Sequence, residues 1–196
     1  MEMNGFLPDG STPVTPEEEA GLIPSHVSLR RELNELEQAN ILEAETWLLT
    51  RRRKPDPLDP KFLRDLHRRM FGHVWKWAGD YRRSDRNLGV HWPRICLELE
   101  TLCRDAEFWK TEAVYSPDEV AIRFHHKLVW IHCYPNGNGR HARLAADLLA
   151  IVSGRPRFSW GGSRLEDPGE VRSAYINALR KADGGDPEDL IAFARS

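Results

Sequence analysis

The apolar residues of this chain recur at helical spacing over most of its length. Between about Val27 and Arg53 they fall roughly three and four residues apart while glutamates occupy the remaining faces, which predicts an amphipathic helix. The same period predicts further helices at about 60–70, 93–110, 117–131, 144–151 and 168–181, and a short final one from Pro187. The pattern therefore indicates a mainly α protein.

One predicted helix has a clear start signal. The run Ser116-Pro117-Asp118-Glu119 offers serine as N-cap, proline at the first helical position and glutamate to close a capping box. The helix that it opens carries Val120, Phe124, Leu128 and Ile131 on its apolar face and leads directly to His132.

Residues 71–95 interrupt the helical pattern. This stretch is rich in aromatic residues and glycines and has little helical period. Within it, Asn87-Leu88-Gly89-Val90 is consistent with a short β-hairpin or with an irregular loop.

Composition and charge describe one globular unit. The chain has 196 residues, of which 40% are hydrophobic and 30% charged. Residues 1–25 are rich in proline and acidic residues and predict a surface tail, so we expect a single domain over 26–196. No apolar run approaches the ~20 residues of a membrane span, and the first residues do not resemble a signal peptide.

These features predict a cytoplasmic protein with no membrane partner. The three cysteines are an odd number and do not suggest a disulfide framework, so we expect reduced thiols. A formal net charge of −2 gives no general attraction to nucleic acid. The basic run Arg51-Arg52-Arg53-Lys54 fits a solvated helix end better than a nucleic-acid contact.

The segment His132–Arg143 carries the strongest chemical signal. It reads His-Cys-Tyr-Pro-Asn-Gly-Asn-Gly-Arg-His-Ala-Arg, which is a histidine, a glycine-rich turn and two arginines at the start of a helix. Backbone N–H groups of such a turn bind anionic oxygens, Asn138 can orient a phosphate oxygen, and Arg140 and Arg143 add positive charge. A neutral histidine beside them can accept a hydroxyl proton. The alternative is a helix–helix turn with a structural histidine, but the two arginines favour phosphoryl or nucleotidyl transfer.

The segment resembles the signature of the Fic family, His-x-Phe-x-(Asp or Glu)-Gly-Asn-Gly-Arg-x-x-Arg. The residues that match it are His132, Gly137, Asn138, Gly139, Arg140 and Arg143, while Tyr134 replaces the phenylalanine. The resemblance implies a Fic-type helical domain that transfers AMP from ATP to a hydroxyl side chain of a target protein. By the same resemblance, His132 deprotonates the hydroxyl, and residues 136–140 and Arg143 hold the phosphates.

The resemblance extends outside the signature. Residues 77–82 and Asn87-Leu88-Gly89-Val90 are similar to the Fic region that forms the flap, a short β-hairpin that pairs with the backbone of the target. The sequences of residues 24–47 and of the signature resemble those of a bacterial Fic subgroup called mobile mystery protein B. That subgroup implies a helix-turn-helix partner protein.

One position departs from the family pattern. The acidic residue that would bind Mg²⁺ is Asn136 here, which offers a neutral oxygen where Mg²⁺ prefers a carboxylate. We still expect Mg²⁺ or Mn²⁺ with the ATP. Because of Asn136, we also consider transfer of another phosphate-containing group, and a nucleotide-binding regulator that acts with the helix-turn-helix partner and has little transfer activity.

The predicted helix at 27–53 also carries part of an inhibitory pattern. Many Fic proteins hold Ser/Thr-x-x-x-Glu-Gly/Asn, and Ser28 and Glu32 fit its first part, although Leu33 takes the Gly/Asn position. The resemblance implies that Glu32 pairs with Arg143 and suppresses ATP binding, or positions water for the reverse reaction, removal of AMP. The alternative is a glutamate on a solvated helix face.

Overall fold

The computed structural model describes residues 15–24, 27, 30–162, 165 and 169–196. Within them the chain forms eight α-helices, and two three-residue 3₁₀ turns lie at Trp92–Arg94 and Trp160–Gly162. The helices are α1 Pro16–Glu19, α2 Arg30–Thr50, α3 Pro60–Phe71, α4 Ile95–Thr111, α5 Pro117–Ile131, α6 Asn138–Val152, α7 Glu170–Asp183 and α8 Glu188–Arg195. The mainly α prediction is confirmed.

Helix α6 lies at the centre of the fold. It packs against α5 and α3, while α4 lies against α5, α2 against α3 and α8 against α7. Almost every side chain of α6 from Ala142 to Ala150 is buried, as expected for a helix that is covered on all sides. The glycine-rich turn of the signature is therefore the entry to the most buried helix.

Side-chain caps set the starts of two predicted helices, α3 and α5. Ser116 Oγ accepts the backbone N–H of Glu119 at 3.2 Å, and α5 begins at Pro117 as predicted. Asp59 Oδ1 accepts the N–H of Lys61 at 2.9 Å and starts α3 at Pro60. Helix α4 begins two residues later than predicted, because a 3₁₀ turn at Trp92–Arg94 precedes it.

The first described residues lie on the surface of the domain. Residues 1–14 and 25 of the predicted tail lie outside the described residues. Helix α1 and the residues after it lie against residues 74–77, where Ile23 donates to the Val74 carbonyl and Lys76 to that of Gly21, both at 2.9 Å. Leu22 and Trp75 form the isolated β-bridge found in the described part of the chain.

The expected β-hairpin is absent from the described residues. Residues 87–90 form bends, so the irregular loop, the other interpretation of this segment, matches the structure. The physical reason lies in the partners of this backbone. The Val90 N–H donates to the Ile131 carbonyl at 3.3 Å and the Val90 carbonyl accepts from Arg82, so these groups are not available for a strand partner.

Among the described residues, no helix has both the length and the apolar character needed to cross a membrane.

Candidate active site

His132 ends helix α5 in a left-handed backbone conformation. Its φ is 57° and its ψ 61°, and its N–H donates to the Leu128 carbonyl at 3.3 Å. This conformation costs a non-glycine residue roughly 1–2 kcal/mol. The His132 carbonyl accepts a hydrogen bond from Arg82 Nε at 2.7 Å, which helps to hold the backbone there. The imidazole is thereby fixed between the end of α5 and the turn that opens α6.

The imidazole of His132 is buried and neutral at pH 7. Burial, with smaller contributions from the positive charges of Arg82 and Arg86, lowers the pKa of His132 to about 4. A neutral imidazole can accept a proton, so the predicted general base is in the correct protonation state.

The turn after His132 requires glycine. Gly137 has a φ of 78°, and a Cβ there would lie 2.6 Å from Phe71 Cε2. Helix α6 begins at the next residue, so the N–H groups of residues 138–140 have no partner within the helix and form an anion-binding end. Gly139 lies next to open space, because a Cβ there would meet nothing closer than 3.9 Å.

Asn138 closes this turn through its side chain. Its Oδ1 accepts the Tyr134 N–H at 2.9 Å and its Nδ2 donates to the Tyr134 carbonyl at 2.7 Å. The sequence pattern predicts that this amide orients a phosphate oxygen. The structure instead gives Asn138 a loop-shaping role, and a phosphate contact by it stays a prediction.

Tyr134 anchors the turn in the core, as its place in the signature implies. Its side chain is fully buried, and its hydroxyl donates to the Leu63 carbonyl at 3.2 Å. The hydroxyl that distinguishes it from the family phenylalanine therefore has a partner, which a buried tyrosine needs.

His67 of α3 supports the turn through a hydrogen bond to its backbone. The sequence did not indicate this role. Its Nδ1 accepts the Gly79 N–H at 2.9 Å, so its Nε2 carries the proton and donates to the Asn136 carbonyl at 3.1 Å. The ring stacks on Tyr134 with centroids 3.7 Å apart. Burial holds the pKa of His67 well below its usual value, which keeps this bridge intact. A lone histidine on an apolar helix face gave no signal of this role.

The two motif arginines contact different helices. Arg140 Nη1 donates to Glu37 Oε2 of α2 at 2.7 Å, and its guanidinium lies 4.9 Å from the ring centre of Phe71. Arg143 lies 5.7 Å from the ring centre of Tyr175 in α7. The positive charge of Arg143 also lowers the pKa of His125, after the larger effect of burial.

Glu37 is a second residue that the sequence did not reveal. It is buried, and its other oxygen accepts the indole N–H of Trp75 at 2.6 Å. The positive charge of Arg140 is therefore balanced inside the protein, which restricts what Arg140 can offer a phosphate. Glu37 is one of many glutamates of α2, and no feature of the sequence separates it from them.

The structure describes one of the two predicted inhibitory residues. Ser28 lies outside the described residues, and Glu32 is half-buried in the first turn of α2. The pairing of Glu32 with Arg143 stays a prediction.

The flap segment lies directly against His132. A Cβ on Gly89, whose φ is 98°, would lie 2.6 Å from the His132 Cβ, so the flap backbone passes over the histidine. Leu88 is exposed beside it. Asn87, Leu88, Gly89 and Val90 therefore lie beside the predicted base, and their contact with a target stays a prediction.

The residues around the turn do not form a protein-built metal site. Asn136 Oδ1 accepts the Gly137 N–H at 2.5 Å, so its neutral oxygen already has a partner. In the part of the chain that is described, no group of three His, Cys, Asp or Glu residues is placed to hold an ion. A divalent ion here would be held mainly by nucleotide phosphates and water.

The model of the Fic/DOC family matches residues 57–150, which include the flap and the signature. Proteins named protein adenylyltransferase Fic are 33% identical over 137 residues in Drosophila virilis and 31% identical over 144 residues in Aedes aegypti. These matches cover 68% and 71% of this chain but only 27% and 28% of those relatives.

Solved structures show the same fold. The N-terminal Fic domain of Bep8 from Bartonella sp. 1-1C superposes with a TM-score of 0.70 at 14% identity, over 88% of this chain and 89% of that one. BepC from Bartonella tribocorum, solved with bound AMPPNP, gives 0.68 at 17% identity over 92% and 97%. The chain belongs to the Fic/DOC family.

Proposed function

We propose that this protein is a protein adenylyltransferase that moves AMP from ATP to a hydroxyl side chain of a target protein. The observation that carries this proposal is the neutral, buried His132 fixed between the flap and the N-terminus of α6. The relatives named for this activity support it, although the chain spans about a quarter of their length.

The reaction assigns a task to each part of the site. The target hydroxyl attacks the α-phosphorus, a new O–P bond forms, and the bond from the α-phosphorus to the bridging oxygen breaks to release pyrophosphate. His132 accepts the hydroxyl proton. The N–H groups that begin α6 and the side chain of Arg143 bind phosphate oxygens, which is most effective where charge develops during transfer. The flap at 87–90 holds the target backbone.

The metal enters as part of the substrate. Mg²⁺ or Mn²⁺ bound to ATP screens the phosphate charge, and Asn136 contributes at most a neutral oxygen. We therefore expect a weak preference between the two ions, measured as transfer rates at equal concentrations of each.

Two labelled nucleotides test the reaction. Incubation with ATP labelled at the α-phosphate should give label on the protein itself or on a partner from a lysate, and intact mass should rise by one adenylate. His132→Ala should abolish the label while the thermal unfolding midpoint stays near that of the wild type. Label from the γ-phosphate alone would instead indicate phosphate transfer.

Asn136 favours a second candidate, a nucleotide-binding regulator without transfer activity. The missing carboxylate weakens the metal contact on which transfer depends. Tight ATP binding by calorimetry with no modification of any protein in a lysate would support this candidate. Asn136→Asp should then create transfer, whereas a true transferase is active without that change.

The regulation and setting of the protein also stay proposals. We propose that Glu32 inhibits the site, so Glu32→Gly should raise ATP affinity and self-modification; unchanged values would show that Glu32 is only a surface residue.

The sequence is consistent with membership of the mobile mystery protein B subgroup and with its helix-turn-helix partner. It is also consistent with a bacterial source and a cytoplasmic location. Co-purification from the native cell would test the partner.

A further inference from the structure

Arg82 is a buried cation that lies between the flap and the catalytic histidine. Its side chain is completely buried, and burial lowers its pKa from the usual value. An arginine is rarely buried unless its donors are satisfied, because an unpaired charge in the interior is costly. The partners of Arg82 therefore indicate why the fold places it there.

The guanidinium binds backbone carbonyls of two separate segments. On the catalytic side, Nε donates to the His132 carbonyl at 2.7 Å and Nη2 reaches that of Ile131 at 3.4 Å. On the flap side, Nη1 donates to the Ser84 carbonyl at 2.8 Å and Nη2 to the Val90 carbonyl. One planar fork thus joins Ser84, which precedes the flap, and the flap residue Val90 to the end of α5.

The geometry leaves little freedom at this junction. The Arg82 backbone N–H donates to the Cys133 carbonyl at 3.0 Å, so its main chain is fixed on the same segment. A Cβ on Gly89 would lie 2.7 Å from Arg82 Nη2 and 2.6 Å from the His132 Cβ. The flap backbone is therefore in contact with both side chains.

The charges around Arg82 complete the anchor. Asp85 Oδ1 lies 3.7 Å from Arg82 Nη1 and accepts the Trp92 N–H at 2.8 Å, while Asp85 Oδ2 lies 2.6 Å from His91 Nδ1. Asp85 thus links Arg82 to His91 and Trp92, the two residues that follow the flap. On the other side, the positive charges of Arg82 and Arg86 face His132 and add to the effect of burial in keeping it neutral.

We propose that Arg82 is a positioning residue that fixes the register of the flap against His132, and so sets the slot in which the target backbone lies. The expected change in the KM for a protein target rests on the proposed transferase activity. The expected change in the hydrogen exchange of the flap does not. Lysine cannot replace it, because an ammonium lacks the planar fork that reaches both segments.

Hydrogen exchange tests the structural part without any substrate. In Arg82→Lys, we expect the Val90 amide, which donates to the Ile131 carbonyl, to exchange about tenfold faster. Tenfold corresponds to ~1.4 kcal/mol, close to the contribution of one hydrogen bond to a charged group. The peptides of α7 should exchange as in the wild type. Arg83→Lys, a change at the exposed neighbouring arginine, is the matched control and should leave the flap unchanged. Equal flap exchange in folded Arg82→Lys and wild type would overturn the proposal.

Kinetics test the functional part. In Arg82→Lys, we expect the KM for a protein target to rise and the Kd for ATP to stay within twofold, because the fork contacts the flap and not the glycine turn. A loss of ATP affinity with an unchanged target KM would overturn the positioning role. If the wild type itself transfers no AMP, the proposed function fails, while the exchange experiment still decides the role of Arg82.

A second variant approaches the same junction from the flap. If Arg82→Lys does not fold, Gly89→Ala can be used, since its methyl group would contact the Arg82 guanidinium and His132. We expect exchange to rise only within residues 83–91. Wild-type exchange in folded Gly89→Ala would show that the flap is not held in this register.

Discussion

Gly137 and Gly154 form a matched pair that separates backbone strain from packing. Their φ values are nearly equal, 78° and 76°. A Cβ at Gly137 would lie 2.6 Å from Phe71 Cε2, whereas a Cβ at Gly154 would meet nothing within 4 Å. Replacing each with alanine adds the same strain, but only Gly137→Ala adds a clash.

The expected loss of stability in each variant follows from backbone strain and from the clash with Phe71. A left-handed alanine costs roughly 1–2 kcal/mol in either variant, and the loss of chain freedom in the unfolded state is also common to both. Overpacking against the Phe71 ring adds about 1–3 kcal/mol for Gly137→Ala alone. The free energy of unfolding should therefore fall about 1–3 kcal/mol further in Gly137→Ala than in Gly154→Ala, or ~2–12 °C in Tm for a chain of this size.

Urea denaturation of both variants measures this difference. A double variant, Gly137→Ala with Phe71→Leu, should recover part of the loss relative to the sum of the single changes, because the smaller side chain makes room for the methyl group. Equal destabilisation of the two alanine variants would refute the reasoning. It would mean that the turn relaxes away from Phe71 and that the tight contact does not define its shape.

Three further predictions concern the site. Tyr134→Phe should lower the free energy of unfolding by about 1 kcal/mol in urea denaturation, through loss of the bond to the Leu63 carbonyl, and should leave transfer unchanged; a loss of transfer would show that the hydroxyl has a catalytic task. Glu37→Gln should cost about 3 kcal/mol in the same assay, since it leaves the charge of Arg140 unbalanced, and a neutral effect would mean that solvent reaches the pair. The pKa of about 4 for His132 keeps the base neutral as pH falls, so single-turnover transfer should stay level from pH 8 to about pH 5 and decline below that; a midpoint near 6.5 would show an exposed imidazole.

The sequence predicted those elements that local chemistry determines. The start of α5 follows from Ser116 and Pro117, which are adjacent to the helix that they cap, and the structure places it there. The end of the same helix at His132 also follows from the glycine turn beyond it. The flap was harder, because its carbonyls bind Arg82, and no local pattern reveals that a backbone group has a side-chain partner elsewhere.

The supporting residues of the site depend on distant pairings. Glu37 and Arg140 are 103 residues apart, His67 and Asn136 are 69 apart, and each pair forms only when the helices pack. Periodicity places Glu37 among the polar positions of α2 and does not say which partner any of these side chains meets. The motif therefore locates the predicted chemistry, and the fold determines which residues hold the motif in place.

The motif itself contains two kinds of residue, and this affects how its variants are to be interpreted. His132 offers a proton acceptor, whereas Gly137 and Asn138 shape the turn through contacts within the protein. Loss of activity on changing Asn138 would therefore not show that it binds phosphate, since the turn that aims the α6 N–H groups would open as well. Parallel measurement of unfolding free energy separates the two cases: a variant that loses a substrate contact keeps the stability of the wild type, and one that loses the turn does not.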